Sequence, residues 1–196
     1  MDREEWDRRY ASAELVWTAG PNRFVAEELP GLVPGAALDL AAGEGRNAIW
    51  LAERGWRVTA LDFSAVALGK GRRIAAERGA EVDWVEADVR AYVPPAEAYD
   101  LVLIAYLHLP SADFAGVLHR AVDAVSPGGT LFLIGHDRSN LTEGYGGPSD
   151  PDVLYAVDEL TAGLTGLRIE RAERVTRPTG EDTPDAIDTL VRAVRA

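Results

Sequence analysis

Leu38-Asp-Leu-Ala-Ala-Gly-Glu-Gly-Arg46 is the stretch on which the fold of this chain turns. The apolar run Ala36–Leu40 follows Pro34-Gly35 and ends at Gly43-Glu44-Gly45, and Arg46–Arg54 then reads as a helix. Ile49, Trp50 and Leu51 are its buried positions and Gly55 is its C-terminal stop. A strand that hands over to a helix through glycines brings backbone close to whatever binds there, because glycine reaches positive φ without steric penalty.

The same alternation continues outward. Trp56–Leu61 reads as a second strand, Ser64 caps a helix to about Arg78, and Gly79 ends that helix. Val82–Glu86 is a third strand, and Asp100–Ala105 is a fourth, apolar enough to be buried on both faces. Ser111 caps a helix to about Val125, Pro127-Gly128-Gly129 turns the chain, and Thr130–Ile134 is a fifth strand. Strands separated by single helices imply βαβ units and a parallel sheet covered on both faces. Leu167–Val175 and Ala186–Val194 break the rhythm. They are joined by a polar loop with Pro178, Gly180 and Pro184 that is too short for a helix, so they form an antiparallel hairpin. Pro151–Leu164 reads as a helix with proline in its first turn. The expected fold is α/β, a Rossmann-like doubly wound sheet of seven strands, five parallel plus the C-terminal hairpin. The expected organisation is a single domain over 1–196. It comprises a helical N-terminal lid (1–30), a βα core (36–135), a flexible Gly-rich loop (136–150) and the hairpin (167–195).

Composition narrows the chemistry. The chain has 196 residues, 47% hydrophobic and 27% charged, a globular balance. It has no cysteine, which removes disulfides, thiolate metal sites and a thiol nucleophile. Twenty basic against 32 acidic residues give a net charge of −12, a poor match for a nucleic-acid backbone. Leu101–Leu107 is the longest apolar run, too short for a membrane span. The first residues show no basic and apolar leader, so a cytoplasmic location is expected. Lys70 is the sole lysine, a bias to which the sequence attaches no function.

Three acids recur at strand ends: Asp39 and Asp62 on the first two strands, and Asp88 after the third. Asp62 lies 19 residues past Gly43, the spacing at which an acid receives the ribose hydroxyls of an adenine nucleoside. Two ligands fit this pattern. Gly43-Glu-Gly-Arg-Asn-Ala48 satisfies the dinucleotide fingerprint, yet Asp39 and Glu44 would oppose a pyrophosphate. S-adenosylmethionine carries a sulfonium and an ammonium, which acids favour.

The chain resembles the class I S-adenosylmethionine-dependent methyltransferases. The matching pieces are Leu38-Asp-Leu-Ala-Ala-Gly-Glu-Gly-Arg46, Val58-Thr-Ala-Leu-Asp-Phe-Ser64, Glu86-Ala-Asp-Val89, Tyr99-Asp-Leu-Val-Leu-Ile104 and Ser126-Pro-Gly-Gly-Thr-Leu131. Ala41 stands where the family has its first loop glycine, a replacement compatible with a negative φ. Gly45-Arg-Asn-Ala-Ile-Trp-Leu-Ala52, with Trp6…Tyr10 and Pro21-Asn22-Arg23 ahead of it, is most similar to the tellurite-resistance and thiopurine methyltransferase-like branch. The resemblance implies S-adenosyl-L-methionine as cofactor, with Ala41, Gly43 and Gly45 lining its methionine part and Ala105 with Tyr106 beneath it. It implies Asp62 on the ribose, Phe63 against the adenine, and Asp88 with the Val89 amide on the adenine edge. Tyr10, with Trp6 and Trp17, is a candidate cover, and Arg46 or Arg23 a partner for the cofactor carboxylate.

His108 follows the fourth strand and His136 the fifth, and either is a candidate proton acceptor, His136 with Asp137 beside it. His119 reads as a surface residue. No histidine pair at helical spacing marks a metal site. The stretch Ala105-Tyr-Leu-His-Leu-Pro110 lacks the Asn/Asp-Pro-Pro-aromatic box of nucleic-acid amino-methyltransferases. The expected partner is a small-molecule methyl acceptor, without nucleic acid or membrane, for a monomer or homodimer. A nicotinamide-dependent oxidoreductase and a non-catalytic S-adenosylmethionine-binding protein are the alternatives.

Overall fold

The computed structural model describes residues 2–196. Two compact units make up the chain: one is built from the chain up to Val93 with Tyr99–Leu101, the other from Pro94–Ala98 with Val102–Ala196.

The first unit opens with α1 (Arg3–Ala11), whose cap is a reciprocal box. The Asp2 carboxylate takes the Glu5 N–H while the Glu5 side chain takes that of Asp2. Asn22 caps α2 (Arg23–Glu28) through its side-chain oxygen. Three parallel strands follow, β1 (Ala36–Leu40), β2 (Arg57–Asp62) and β3 (Val82–Glu86), with α3 (Arg46–Ala52) and α4 (Ala65–Arg78) as crossovers. Ser64 accepts from the Ala67 N–H at the start of α4, and Gly79 closes that helix in the left-handed region. Leu38, Leu51, Leu61 and Leu68 are fully buried. At ~1.5–3 kcal/mol for each such side chain, these apolar positions outweigh the weak helix propensity of the short α3.

The second unit holds most of β4 (Tyr99–Ala105), then α5 (Ser111–Ala124), β5 (Val125–His136), α6 (Asn140–Glu143), a 3₁₀ turn (Pro151–Val153), α7 (Val157–Ala162), β6 (Leu167–Arg177) and β7 (Ala186–Arg195). β7 pairs antiparallel with both β5 and β6, and its register sets Asp188 opposite His136. The seven strands run in the order β3-β2-β1-β4-β5-β7-β6, the Rossmann-like mixed sheet with a C-terminal antiparallel hairpin.

Several elements depart from expectation, each for a physical reason. The helix expected over Pro151–Leu164 is split, because Tyr155 pairs with the end of β5 instead: its N–H donates to the His136 carbonyl and its carbonyl accepts from Arg138. Ser111 is the first residue of α5, not its cap. Pro110 occupies the cap, and the Ser111 hydroxyl donates to Asp152. β5 begins before Pro127-Gly128-Gly129, which lies inside the strand. The stretch 136–150, expected as loop, contains α6, and the Asn140 side chain ties it down by donating to the Gly146 carbonyl and accepting from the Ile187 N–H. Ala41 sits at φ +60°, not at a negative angle. A side chain there costs ~1–2 kcal/mol, so the loop keeps its left-handed turn despite losing the glycine.

Candidate functional site

The turn between β1 and α3 carries the glycines, and their surroundings explain them. Gly45 caps α3 at φ +75°, and a Cβ there would lie 2.3 Å from the Trp84 ring. A Cβ on Gly43 would come within 2.8 Å of the Tyr10 hydroxyl. Asp62, at the end of β2, is 4% exposed and fixes the turn: one carboxylate oxygen accepts from the Gly43 N–H at 2.8 Å and the other from the Ser64 N–H at 2.9 Å. Burial pushes the Asp62 carboxyl up, and these two backbone donors pull it back. Tyr10, Gly43 and Asp62 are thus brought together.

Asp39 is the most perturbed group of the turn. Burial, aided by the charge of Asp62, pushes it up to about 7, against the opposing pull of Arg46. Its Oδ2 is buried and has no hydrogen-bond partner. An orphaned carboxylate oxygen beside a glycine turn is costly unless a ligand donates to it.

Two residues past β3, Asp88 accepts from the Arg90 N–H and forms a two-pronged pair with the Arg90 guanidinium, which holds its carboxyl below the usual range. Val89 is buried beside it. Phe63 follows Asp62 directly, with the Arg3 guanidinium 6.0 Å from its ring centre.

The N-terminal segment is bolted onto this turn by groups the sequence left unread. Glu44, whose place in the turn would oppose an anion, is spent internally. It is 3% exposed and accepts from the Val16 and Trp17 N–H groups, with Lys70 at 3.2 Å. The Lys70 ammonium also donates to the carbonyls of Ala13 and Tyr10. Trp6 stacks on Tyr10 at 5.4 Å, Arg9 lies over both Trp6 and Trp17, and Arg46 lies 5.9 Å from Trp17. Arg23 pairs instead with Glu27. The sole lysine was the available signal, and composition alone gave it no partner.

Ala105, the last residue of β4, and both histidines belong to the second unit. His108 is committed on both ring nitrogens: Nδ1 lies 2.8 Å from the Val153 carbonyl, and Nε2 faces the His136 N–H at 3.5 Å. Burial drives it down to about 4. The carboxylate beside His136 is not that of Asp137, which turns to the Ser139 N–H and hydroxyl and to the Thr189 hydroxyl. It is Asp188, fully buried in β7, with one oxygen 3.1 Å from His136 Nδ1. The Tyr106 hydroxyl and Arg177 Nε donate to the other, at 2.6 and 2.9 Å. Burial alone would raise Asp188, but these three donors outweigh it and hold the carboxyl low. An aspartate inside the apolar run Ala186-Ile-Asp-Thr-Leu-Val191 was the legible sign of such a site. Tyr106 carries φ +58°, backbone strain of the kind that collects where a side chain must be aimed.

Among the described residues, no group of three or more histidine, aspartate or glutamate side chains is placed to hold a metal ion, and no helix is long and apolar enough to cross a membrane.

Residues 37–129 match the sequence model of a methyltransferase domain family. A demethylmenaquinone methyltransferase of Thermus thermophilus is 36% identical over 124 residues, which cover 62% of this chain and 54% of that protein. A ubiquinone biosynthesis O-methyltransferase of Klebsiella pneumoniae is 34% identical over 56% of this chain and 46% of its own. The chain spans about half the length of these curated relatives. A solved structure from work on conversion of a disulfide bond into a thioacetal group during echinomycin biosynthesis superposes with a TM-score of 0.77 at 25% identity. That match covers 98% of this chain and 92% of the other. TehB of Haemophilus influenzae also gives 0.77, at 15% identity over 99% of this chain and 67% of its own, a likeness of fold alone.

Proposed function

This chain belongs to the class I S-adenosylmethionine-dependent methyltransferases, and from that premise we propose that it transfers a methyl group from S-adenosylmethionine to a nucleophilic atom of a small molecule. The observation that carries the reading is the acid-lined glycine turn, where Asp62 holds Gly43 and Asp39 presents an orphaned, buried carboxylate oxygen. An electron-poor, cationic ligand satisfies that oxygen, whereas the pyrophosphate of a nicotinamide dinucleotide would meet the charge of Asp39 and Asp62. The names of the relatives above, which concern quinone biosynthesis, support a small organic acceptor.

The residues present fit the cofactor. The turn Ala41–Gly45 and Asp39 would take its methionine end, Asp62 the ribose hydroxyls, and Asp88 with Val89 the adenine edge, while Tyr10 and Trp17 cover it. Phe63 and Ala105 complete the set. When bound, S-adenosylmethionine supplies an electrophilic methyl on a sulfonium. The protein's share is to hold donor and acceptor aligned and dry, an effect worth ~7–11 kcal/mol where the geometry is close to that of attack. On this reading the protein works in the cytoplasm, as a monomer or homodimer.

Calorimetric titration with S-adenosylhomocysteine tests the reading. The full chain should bind it, NAD⁺ should give no heat, and Asp62→Ala should weaken binding at least tenfold. That size follows because two hydroxyls lose a charged acceptor and the Gly43 N–H loses its anchor. An unchanged dissociation constant in the variant would remove Asp62 from the cofactor site.

A further inference from the structure

The second unit contains a proton-handling group that binding and alignment of a methyl donor do not call for. His136 is 13% exposed at its side chain and is packed against three neighbours. The His108 ring stacks on it at 5.3 Å, the Tyr106 ring meets it edge-on at 5.1 Å, and Gly147 passes so close that a Cβ would lie 2.8 Å from the imidazole. Behind it, Asp188 Oδ1 is fully buried and, like His136 Nδ1, has no other partner; the two lie 3.1 Å apart. A buried carboxylate oxygen that lacks a donor forces the adjacent imidazole to place its proton there. His136 is therefore held as the Nδ1–H tautomer with a lone pair on Nε2. Asp188 cannot neutralise itself by taking a proton, because Tyr106 and Arg177 already donate to its other oxygen.

We propose that His136, positioned by Asp188, accepts the proton of the methyl acceptor, and that this acceptor is a small molecule reacting through a phenolic or enolic hydroxyl. This rests on the methyltransferase reading. The magnitudes select the class. A free imidazole titrates near 6.5 and a phenol near 10, a gap of about 3.5 units that a positioned base can bridge within the transfer step. An alkyl alcohol, with acidity close to water's at roughly 15.7, lies too far away. A thiol supplies enough thiolate by itself, and a free amine has a lone pair ready, so neither requires this device. In the step, the hydroxyl proton passes to His136 Nε2 as the oxygen's electron pair forms the new O–C bond. The C–S bond breaks, and sulfur retains its electron pair. The products are the methyl ether, neutral S-adenosylhomocysteine and an imidazolium that returns its proton to water.

The groups facing His136 are Tyr106 and His108 from the chain after β4, and Asp188 from β7, with Arg177 of β6 behind it. His108 is held neutral by its burial, so it adds no charge of its own near neutral pH.

Nitrogen-15 NMR of the histidine-labelled full chain reads the tautomer without any substrate. The expected result is an Nδ1–H signature for His136, lost in Asp188→Asn. An Nε2–H signature, or one indifferent to Asp188→Asn, overturns the assignment. Turnover is then measured with S-adenosylmethionine and hydroxyl probes (catechol, 1,4-naphthohydroquinone), a thiol probe (thiophenol) and an amine probe (aniline). Methylation of hydroxyl probes alone is expected, falling at least 100-fold in His136→Gln. In Asp188→Asn kcat/KM should fall at least tenfold, because the ring loses the carboxylate 3.1 Å away that fixes its tautomer. Methylation only of the thiol or amine, no methylation of either hydroxyl probe, or an insensitive His136→Gln overturns the proposal. If Asp188→Asn unfolds, Gly147→Ala, which displaces the ring while sparing the carboxylate, must give the same kinetic loss. Failure of S-adenosylhomocysteine to bind the full chain would instead fell the methyltransferase reading and leave the tautomer result standing.

Discussion

Asp39 opposes folding at the turn proposed to hold the ligand. Its carboxyl is raised from 3.8 to about 7 in the folded protein. Between those values the native state binds more protons than the unfolded chain, so stability falls as pH rises through this window and levels off above about 7. Asp39→Asn should therefore raise Tm more at pH 8 than at pH 5, as read by thermal unfolding at both. The ligand responds with the opposite sign. A cation favours the ionised carboxylate, so S-adenosylhomocysteine affinity should tighten from pH 6 to pH 8 in the native protein and stay flat in Asp39→Asn. A flat profile in both would detach Asp39 from the ligand. The residue types at this turn were legible because Asp39, Gly43, Gly45 and Asp62 carry fixed sequence spacings. The φ of Ala41 was not, since a left-handed alanine is imposed by the closure of the turn and leaves no trace in its own identity.

Elements whose fate is settled by their own periodicity were read correctly. β3 occupies Val82–Glu86 and α4 runs from its Ser64 cap to Gly79. Elements decided by a distant partner were not. Pro151–Leu164 has helical composition, yet Tyr155 gives its backbone to β5 and divides the helix. The stretch after β5 is rich in glycine, yet Asn140 orders α6 within it. Tyr145 remains half exposed beyond that helix. We take this part as a flap over the acceptor, with Tyr145 its contact residue. Tyr145→Ala should impair turnover of a methylated hydroxyl probe several-fold while leaving S-adenosylhomocysteine affinity within about twofold. Equal loss of both would show that it serves the donor. The N-terminal segment is the complementary case. Its aromatic residues point to a cover, but the pieces that fasten it are not legible as such: Glu44 reads as an acid of the ligand turn, and Lys70 carries no assigned function. Lys70→Met should free the segment and speed S-adenosylhomocysteine release about three- to tenfold in stopped-flow experiments. An unchanged off-rate would separate the segment from cofactor exchange.

Across the whole molecule, 20 basic residues face 32 acidic ones, and lysine is almost entirely replaced by arginine. Arginine pairs such as Arg138–Glu159 and Arg171–Glu173 lie at the surface, where each contributes little to stability. The one lysine is the exception, its side chain only 17% exposed and its ammonium surrounded by Glu44 and two backbone carbonyls. Amine-selective acylation thus finds a single side-chain target in this protein, and that target is protected while the N-terminal segment is seated. The acylation rate of Lys70, followed by intact mass spectrometry, becomes a clock for the opening of the molecule, one that needs neither dye nor cysteine. Bound S-adenosylhomocysteine should slow that clock at least tenfold, and a rate that ignores the ligand would mean that the segment opens as often with the ligand bound as without it.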